Sequence, residues 1–512
     1  MTEPRQATPE QASFVGQSLN YWAREMPGDV ALSVDDQSVS WNELLQSVSM
    51  FAAYLQDLQC SRSAHFTDHQ NNGIALALPN SIEFIVAFLS VVRLGKKALV
   101  YDADWPLIQR QQLQKITQPQ FLIDADNWAE HWHKAQAFKN KEVASRPLPS
   151  TSFYVGFTSG STGMPKGYRR CHQSWLDSFE ISNRAFAFQT DDVVLTSGSL
   201  ATSLHLYGAI HALHCGHSVV LGQQFRPQAL LRQIRQTQAS VLYMTPTQLQ
   251  MLLLVAEQSD ISSLDSVRRV LISGAKWSAE DGQRLRNLMP NAVWYEFYGT
   301  SEMSFISLRS SDSNAPKGSV GQVMPSVNIQ IRDDENQISA AHKPGRIWVK
   351  SPLLFDGYEC GDANELKAEG GWVTVCDHGY LDEQGYLFLL GREHRMLNCS
   401  GVNVYPEQVE QVIEQMDDVK QCMALGIADK LRGQRLVVVV SLTSDQRSNG
   451  TAHNIINRSL ERDLKAYCRQ HLPQSHQPWR WLRLEQWPTL SSGKVDQMEL
   501  QRWAEKKMAT PT

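Results

Sequence analysis

The sequence predicts an α/β protein, with a large N-terminal domain of doubly wound sheets plus a β-rich subdomain and then a small mobile α+β domain. Three observations predict it. From ~73 to ~300 short apolar runs alternate with amphipathic stretches of helical length, the pattern of a parallel sheet covered by helices on both faces. From about Gly318 to Leu390 that rhythm gives way to short strands with Gly and Pro turns. The segment after Arg392, of about 120 residues, has helices and strands of its own, enough for a separate domain. Domains are therefore expected at 1–392 and 393–512, with the β-rich subdomain at about 318–390.

Taken in order, GIALAL (Gly73–Leu78) is a strand, SIEFIVAFLSVVRLG a helix and KALVY (Lys97–Tyr101) a second strand. FLIDA (Phe121–Ala125), FYVGF (Phe153–Phe157), VVLT (Val193–Thr196), SVVL (Ser218–Leu221), SVLYM (Ser240–Met244), RRVLIS (Arg268–Ser273) and VWYEF (Val293–Phe297) read as buried strands, most followed by a helix. The β-rich part contains GQV, VNIQIRD, GRIWVK and GYLFLLG. The last domain opens with a helix at Pro406–Met416, strands near Cys422–Ile427 and Leu436–Leu442, and a long helix near Ile455–His471. A final strand and helix follow.

Composition narrows the function. With 48 Lys+Arg against 53 Asp+Glu in 512 residues the net charge is −5, so no basic excess marks nucleic acid as a partner. The eight cysteines form no CxxC pair, which suits reduced thiols and a cytoplasmic location. The N-terminus lacks a signal-peptide core, and the longest apolar run, Ile82–Leu94, is interrupted by Glu83 and Arg93, so no membrane span is expected.

The most informative stretch is Phe157–Gly167, FTSGSTGMPKG, directly after a strand. Hydroxyls of Thr158, Ser159, Ser161 and Thr162 can donate to phosphate oxygens. Gly160 and Gly163 let the backbone approach, and Lys166 adds positive charge. The glycine spacing and the Gly after the Lys exclude a Walker A loop.

This segment resembles the signature loop of the adenylate-forming acyl- and aryl-CoA synthetases, the superfamily that includes stand-alone adenylation enzymes and beetle luciferases. Further motifs arrive in the family's order. Tyr298-Gly299-Thr300-Ser301-Glu302 resembles the adenine and α-phosphate turn, implying that Tyr298 stacks on the base, Thr300 contacts the α-phosphate and Glu302 helps hold Mg²⁺. Ser273-Gly274-Ala275-Lys276 matches the segment under the adenine. Trp372–Arg392 is similar to the ribose segment, with Asp377 on the ribose hydroxyls and Arg392 as a second contact; Val375-Cys376 replaces the usual Thr-Gly. His394 takes the hinge position, and Gly401 the lining of the pantetheine channel. Pro488–Asp496, PTLSSGKVD, resembles the loop whose lysine catalyses adenylation, which implies that role for Lys494.

The resemblance implies a two-step ligase with its site in the crevice between the domains. A carboxylate attacks the α-phosphate of Mg-ATP, giving acyl-adenylate and pyrophosphate. The small domain then rotates about His394, and a thiol attacks the adenylate. SGVNVYPEQVE favours CoA as that thiol, with a carrier-protein phosphopantetheine arm as the alternative. A luciferase-type oxygenase and a non-catalytic nucleotide-binding protein are further alternatives. Trp175, Phe179, Leu204, Met303 and Phe305 suggest an apolar acid site suited to a fatty or aromatic acid, with His205 of the LHLYG segment beside the carboxylate and catalytic. A monomer or homodimer is expected. His205, His211, His214, His217 and Cys215 read as buried helix rather than a zinc site; Arg169-Arg170, just after the Phe157–Gly167 loop, could attract pyrophosphate, but the pair reads as a solvated helix start.

Overall fold

The computed structural model describes residues 12–62, 72–139, 141, 143, 146–158, 165–259, 261–274, 277, 279–361, 366–399, 402–429, 433–443, 458–489 and 495–509. The chain forms two compact units. Met1–Ile329, Val349–Glu365 and Glu369–Val373 make the first; Gln330–Trp348, Leu366–Ala368 and Thr374–Thr512 make the second. The division thus runs through the β-rich segment.

The larger unit is built on two sheets. One has nine described strands, in the order Gln322–Val323, Ser304–Ser310, Val293–Thr300, Arg269–Ile272, Val241–Met244, Val193–Thr196, Ser218–Leu221, Val30–Val34, Gln37–Ser40. Its interior pairs are parallel and its edges antiparallel. The other has six, Tyr358–Cys360, Lys166–Cys171, Ser152–Thr158, Lys97–Val100, Gly73–Ala77, Leu122–Asp124, and is antiparallel only at the first two junctions.

Local chemistry explains the alternation. Strand Gly73–Ala77 is buried at every position, as a parallel strand covered on both faces must be. The helix Ile82–Arg93 that follows starts where Ser81 Oγ accepts a bond from Phe84 N–H at 3.1 Å, and from Phe84 to Val92 it is buried all round. Helix Pro246–Glu257 starts on a reciprocal capping box between Thr245 and Gln248. Leu249, Leu252 and Leu253 of that helix pack with Leu242, Val270 and Ile272 of the sheet.

Every short apolar run read as a strand above is a strand, whole or in part, and the longer apolar run Ile82–Leu94 is the helix Ile82–Arg93. Strands not foreseen include the Val30–Ser40 hairpin, Ser304–Ser310, Leu397–Cys399, Val402–Val404 and Lys166–Cys171. The last overturns the reading of Arg169-Arg170 as a solvated helix start. The helix begins only at His172, and Arg170 lies in the strand with its side chain buried.

In the smaller unit two long strands, Val419–Asp429 and Gly433–Leu442, pair antiparallel and present alternate faces to two cores. Ala424, Val438 and Val440 pack with Val409, Ile413 and Leu464; Met423, Leu425 and Val439 pack with Leu500 and Ala504 of helix Gln497–Ala509. The same unit holds the Asp377–Leu381 and Leu387–Arg392 antiparallel pair. No helix among the described residues is long and apolar enough to cross a membrane, and none of the eight cysteines is in a disulfide.

Candidate active site

In the larger unit the phosphate-loop sequence connects a β-hairpin. Strands Ser152–Thr158 and Lys166–Cys171 pair antiparallel, with Thr158 opposite Lys166 at the loop's base. Lys166 is buried, and a Cβ on Gly361, just past the neighbouring strand Tyr358–Cys360, would lie 2.9 Å from its Cα. Ser159, Gly160, Ser161, Thr162 and Gly163 lie outside the described residues.

The Tyr298–Glu302 motif ends strand Val293–Thr300 and turns the chain into Ser304–Ser310. Tyr298, half-buried, pairs with Ser307. At Gly299 a Cβ would fall 2.1 Å from the Ser304 carbonyl oxygen, so no larger residue fits this turn. Thr300 Oγ1 accepts a bond from Met303 N–H at 3.1 Å, which leaves the hydroxyl hydrogen to donate. Glu302 is held twice from the segment after Leu353: Tyr358 Oη donates to Oε1 at 2.8 Å, and Phe355 N–H to the backbone carbonyl at 2.8 Å. A half-exposed carboxylate fixed at one oxygen suits Mg²⁺, which prefers one or two carboxylates together with substrate phosphates.

Gly274 adopts φ +100° just beyond strand Arg269–Ile272, and Ser273 Oγ donates to the Phe297 carbonyl at 3.1 Å, tying this segment to the neighbouring strand. Ala275 and Lys276 lie outside the described residues. These segments follow the carboxyl ends of parallel strands, where open α/β sheets bind ligands.

Arg170 and Tyr168 join the phosphate hairpin to the turn. Arg170 donates to the carbonyls of Leu353 at 2.9 Å and Ser301 at 3.4 Å, and to Ser174 Oγ at 3.3 Å. Tyr168 Oη lies 3.0 Å from Tyr154 Oη, and Tyr168 pairs across the strands with Tyr358, the residue that holds Glu302.

His205 sits near the start of helix Ser203–Cys215, buried, with its ring so close to Gly198 that a Cβ there would fall 2.0 Å from Nε2. Burial pushes its pKa down to about 4 against a lesser upward pull from the Gln248 carboxamide, so the ring is neutral at pH 7. Buried Asn80 staples the adjoining segment: its amide donates to the carbonyls of Gly198 and Gly222 at 2.8 and 2.9 Å, and its oxygen accepts from Leu200 N–H at 2.8 Å. Further along the helix, His211 bonds to Asn183 Oδ1 at 2.9 Å and stacks on Phe179. The described residues contain no group of three or more His, Cys, Asp or Glu able to hold a metal. Trp175, Phe179, Met303 and Phe305 are buried, and the Tyr207 ring lies 5.4 Å from Trp175 and 5.2 Å from Phe305.

In the smaller unit Asp377 and Arg392 are cross-strand partners, with Arg392 Nε 3.0 Å from the buried Asp377 carboxylate. Cys376, in the place of the usual glycine, takes φ +61°, a left-handed conformation that glycine adopts without strain. Two bonds hold it there: Cys376 N–H donates to Thr374 Oγ1 at 3.0 Å, and Glu393 N–H to its carbonyl at 2.9 Å. Burial first, then the Glu393 charge, pushes the Cys376 thiol up to about 11. Arg346 forks onto Glu393 at 2.8 and 3.1 Å and holds that carboxyl at about 2. Arg395 bonds to Glu407 at 2.9 Å and to Glu410 at 2.7 Å, and Tyr405 Oη lies 2.8 Å from His378 Nδ1. His394 therefore lies in a short turn, Glu393–Arg395, whose other two residues are each anchored by an ion pair; its side chain lies outside the described residues. So do Gly401 and Lys494. The Lys494 loop is closed at its base by a bridge between Thr489 and Val495, and Asp496 N–H donates to the Pro488 carbonyl at 2.8 Å.

Residues 19–359 match the AMP-binding enzyme family model, and residues 408–494 match the AMP-binding enzyme C-terminal domain. The chain belongs to the AMP-binding enzyme family. It is 31% identical over 510 residues to the uncharacterized acyl-CoA ligase YhfT of Bacillus subtilis (strain 168), covering 95% of this chain and 97% of that one. It is similar in fold to o-succinylbenzoate CoA synthetase (MenE) from Bacillus subtilis bound to its acyl-adenylate, with TM-score 0.79, 24% identity and coverage of 94% and 97%. It also resembles the anthranilate CoA ligase AuaEII bound to anthranoyl-AMP, with TM-score 0.83, 17% identity and coverage of 98% and 99%.

Two residues of this family member, Tyr358 and Asn80, gave no signal in its sequence, and a third, Arg170, was misread as a solvated helix start. Each acts on a partner more than fifty residues away, and such a pairing becomes visible only once the sheets are assembled.

Proposed function

We propose that the protein activates a carboxylic acid with ATP to an acyl-adenylate, releasing pyrophosphate, and then transfers the acyl group to the thiol of CoA, releasing AMP. The observation that supports this reading is the joining of the hairpin strand Lys166–Cys171 to the turn with Thr300 and Glu302, through the Arg170 bond to Ser301 and the pairing of Tyr168 with Tyr358, which holds Glu302. Thr158, Lys166, Thr300 and Glu302 lie on the elements so joined, residue types suited to a nucleotide polyphosphate.

In the first step an acid oxygen attacks the α-phosphorus, and the bond to the bridging oxygen breaks as pyrophosphate leaves. Thr300 donates to the α-phosphate, Lys166 and the loop hydroxyls take the departing phosphates, and Lys494 stabilises the charge shared by attacking and leaving oxygens. Glu302 would hold Mg²⁺, which supplies charge neutralisation on the phosphates. Asp377 and Arg392 hold the ribose. Neutral His205 can donate one hydrogen bond to the acid without forming an ion pair with it. In the second step the CoA sulfur attacks the acyl carbonyl and the bond to AMP breaks. Rotation about His394 separates the two steps, and the buried aromatic lining favours an apolar or aromatic acid.

Lys494→Ala tests the assignment. It is expected to abolish acid-dependent pyrophosphate exchange while thiolysis of supplied acyl-adenylate continues; retained exchange overturns it. Parallel assays with CoA and with a phosphopantetheinylated carrier protein decide the acceptor, and turnover with the carrier alone would replace CoA in this reading.

A further inference from the structure

Among its described residues the larger unit buries two arginines, Arg170 and Arg269; Arg269 is neutralised, and so is the half-buried Arg309. Arg269 Nη1 lies 3.3 Å from Asp192, and Arg309 pairs with Glu296. Arg170 is buried more deeply than Arg309, yet no carboxylate among the described residues lies within ion-pair distance of it. Its hydrogen-bond partners are neutral oxygens: Ser174 Oγ and the carbonyls of Ser301 and Leu353. The acid that acts on it electrostatically, Asp356, has an oxygen engaged by Ser152 Oγ at 2.7 Å. Desolvation pulls the guanidinium's pKa down, but an arginine stays charged. A buried cation without a counter-ion is costly, and the cost is recovered when an anion arrives.

The position of this charge indicates which anion. The Ser301 carbonyl that Arg170 holds lies between Thr300 and Glu302, and the strand that carries Arg170 begins at Lys166, at the base of the phosphate loop. We infer that Arg170 is a positioning residue for the nucleotide: its guanidinium fixes the Ser301 carbonyl, and with it Thr300 and Glu302, and its uncompensated charge is balanced by the phosphates of the bound nucleotide. The inference rests on the reading of residues 298–302 as the nucleotide turn.

Calorimetric binding of ATP with Mg²⁺, of AMP and of adenosine to the full chain separates charge from packing. Arg170→Met keeps the side-chain volume and is expected to weaken ATP by roughly tenfold or more, AMP by less, and adenosine by under twofold. Arg170→Lys restores charge without the planar fork and is expected to recover most of the ATP affinity. Equal weakening of ATP and adenosine, or no change in either, overturns the inference and leaves Arg170 a packing residue. Should the Met variant fail to fold, Arg170→Gln carries the same comparison. Thr300→Ala is the control for the underlying reading. If it leaves ATP binding unchanged, the nucleotide turn itself is misassigned. If it weakens ATP while the Arg170 variants do not, only the inference fails.

Discussion

Tyr358→Phe removes a single oxygen, and with it the 2.8 Å bond to Glu302 Oε1. The rest of the arrangement stays. The ring keeps its edge contact with Phe355 at 5.1 Å, the strand keeps its register opposite Tyr168, and Phe355 N–H still holds the Glu302 carbonyl. A hydrogen bond to an ionised carboxylate contributes about 1.5–3 kcal/mol, but Glu302 is half-exposed and water replaces part of the loss. A net loss of about 1 kcal/mol remains, a factor of about five in an equilibrium constant. Because the carboxylate stays but is less firmly aimed, the loss is expected in metal and nucleotide binding and not in recognition of the acid. Steady-state pyrophosphate release, titrated separately with Mg²⁺, ATP and acid, should show the Mg²⁺ requirement rising about fivefold and KM for the acid moving less than twofold. An unchanged Mg²⁺ requirement, or an equal rise in KM for the acid, would refute the role given to Tyr358.

Two further outcomes follow from burial and backbone geometry. His172, His205, His214 and His217 are held by burial at pKa values of about 3, 4, 4 and 4, and burial also lowers His211 well below its ordinary value. Below the unfolded value of about 6.5 the unfolded chain gains protons that the folded chain refuses, so stability falls with falling pH, by up to about 1.4 kcal/mol per unit for each ring, until the folded rings protonate near pH 4. Thermal unfolding scans between pH 8 and 4.5 should show a flat upper region and a steep loss below 6.5; a Tm independent of pH across that range contradicts the burial of these rings as neutral groups. Cys376 supplies the second outcome. Cys376→Gly and Cys376→Ala both lose the buried thiol, but only Ala keeps a Cβ at φ +61°, so Gly should be the more stable variant by about 1 kcal/mol in urea unfolding. The usual order, Ala above Gly, would show that the left-handed conformation is not maintained.

The parallel strands were legible because their burial on both faces leaves runs such as VVLT and SVVL with almost no polar interruption. Lys166–Cys171 was not legible, for a physical reason: KGYRRC carries three cations in six residues, a composition that reads as solvated surface. It becomes a strand because the hairpin pairs it with Ser152–Thr158 on one side and Tyr358–Cys360 on the other, and because Arg170 finds neutral oxygens supplied by residues as far away as Leu353. The same distinction runs through the candidate site. Thr300, Glu302 and Asp377 show themselves through motifs that resemble those of a known family, position by position. What holds them does not. Tyr358 reaches back 56 residues to Glu302, and Arg346 reaches forward 47 to Glu393 beside the hinge position. Nothing in the local pattern of a tyrosine or an arginine distinguishes these from surface residues. The groups assigned to the ligand are therefore readable from local motifs, whereas the groups that orient them depend on which strands the fold lays side by side. A change at Tyr358 or Arg346 should for that reason alter the chemistry of a site whose motifs are all intact.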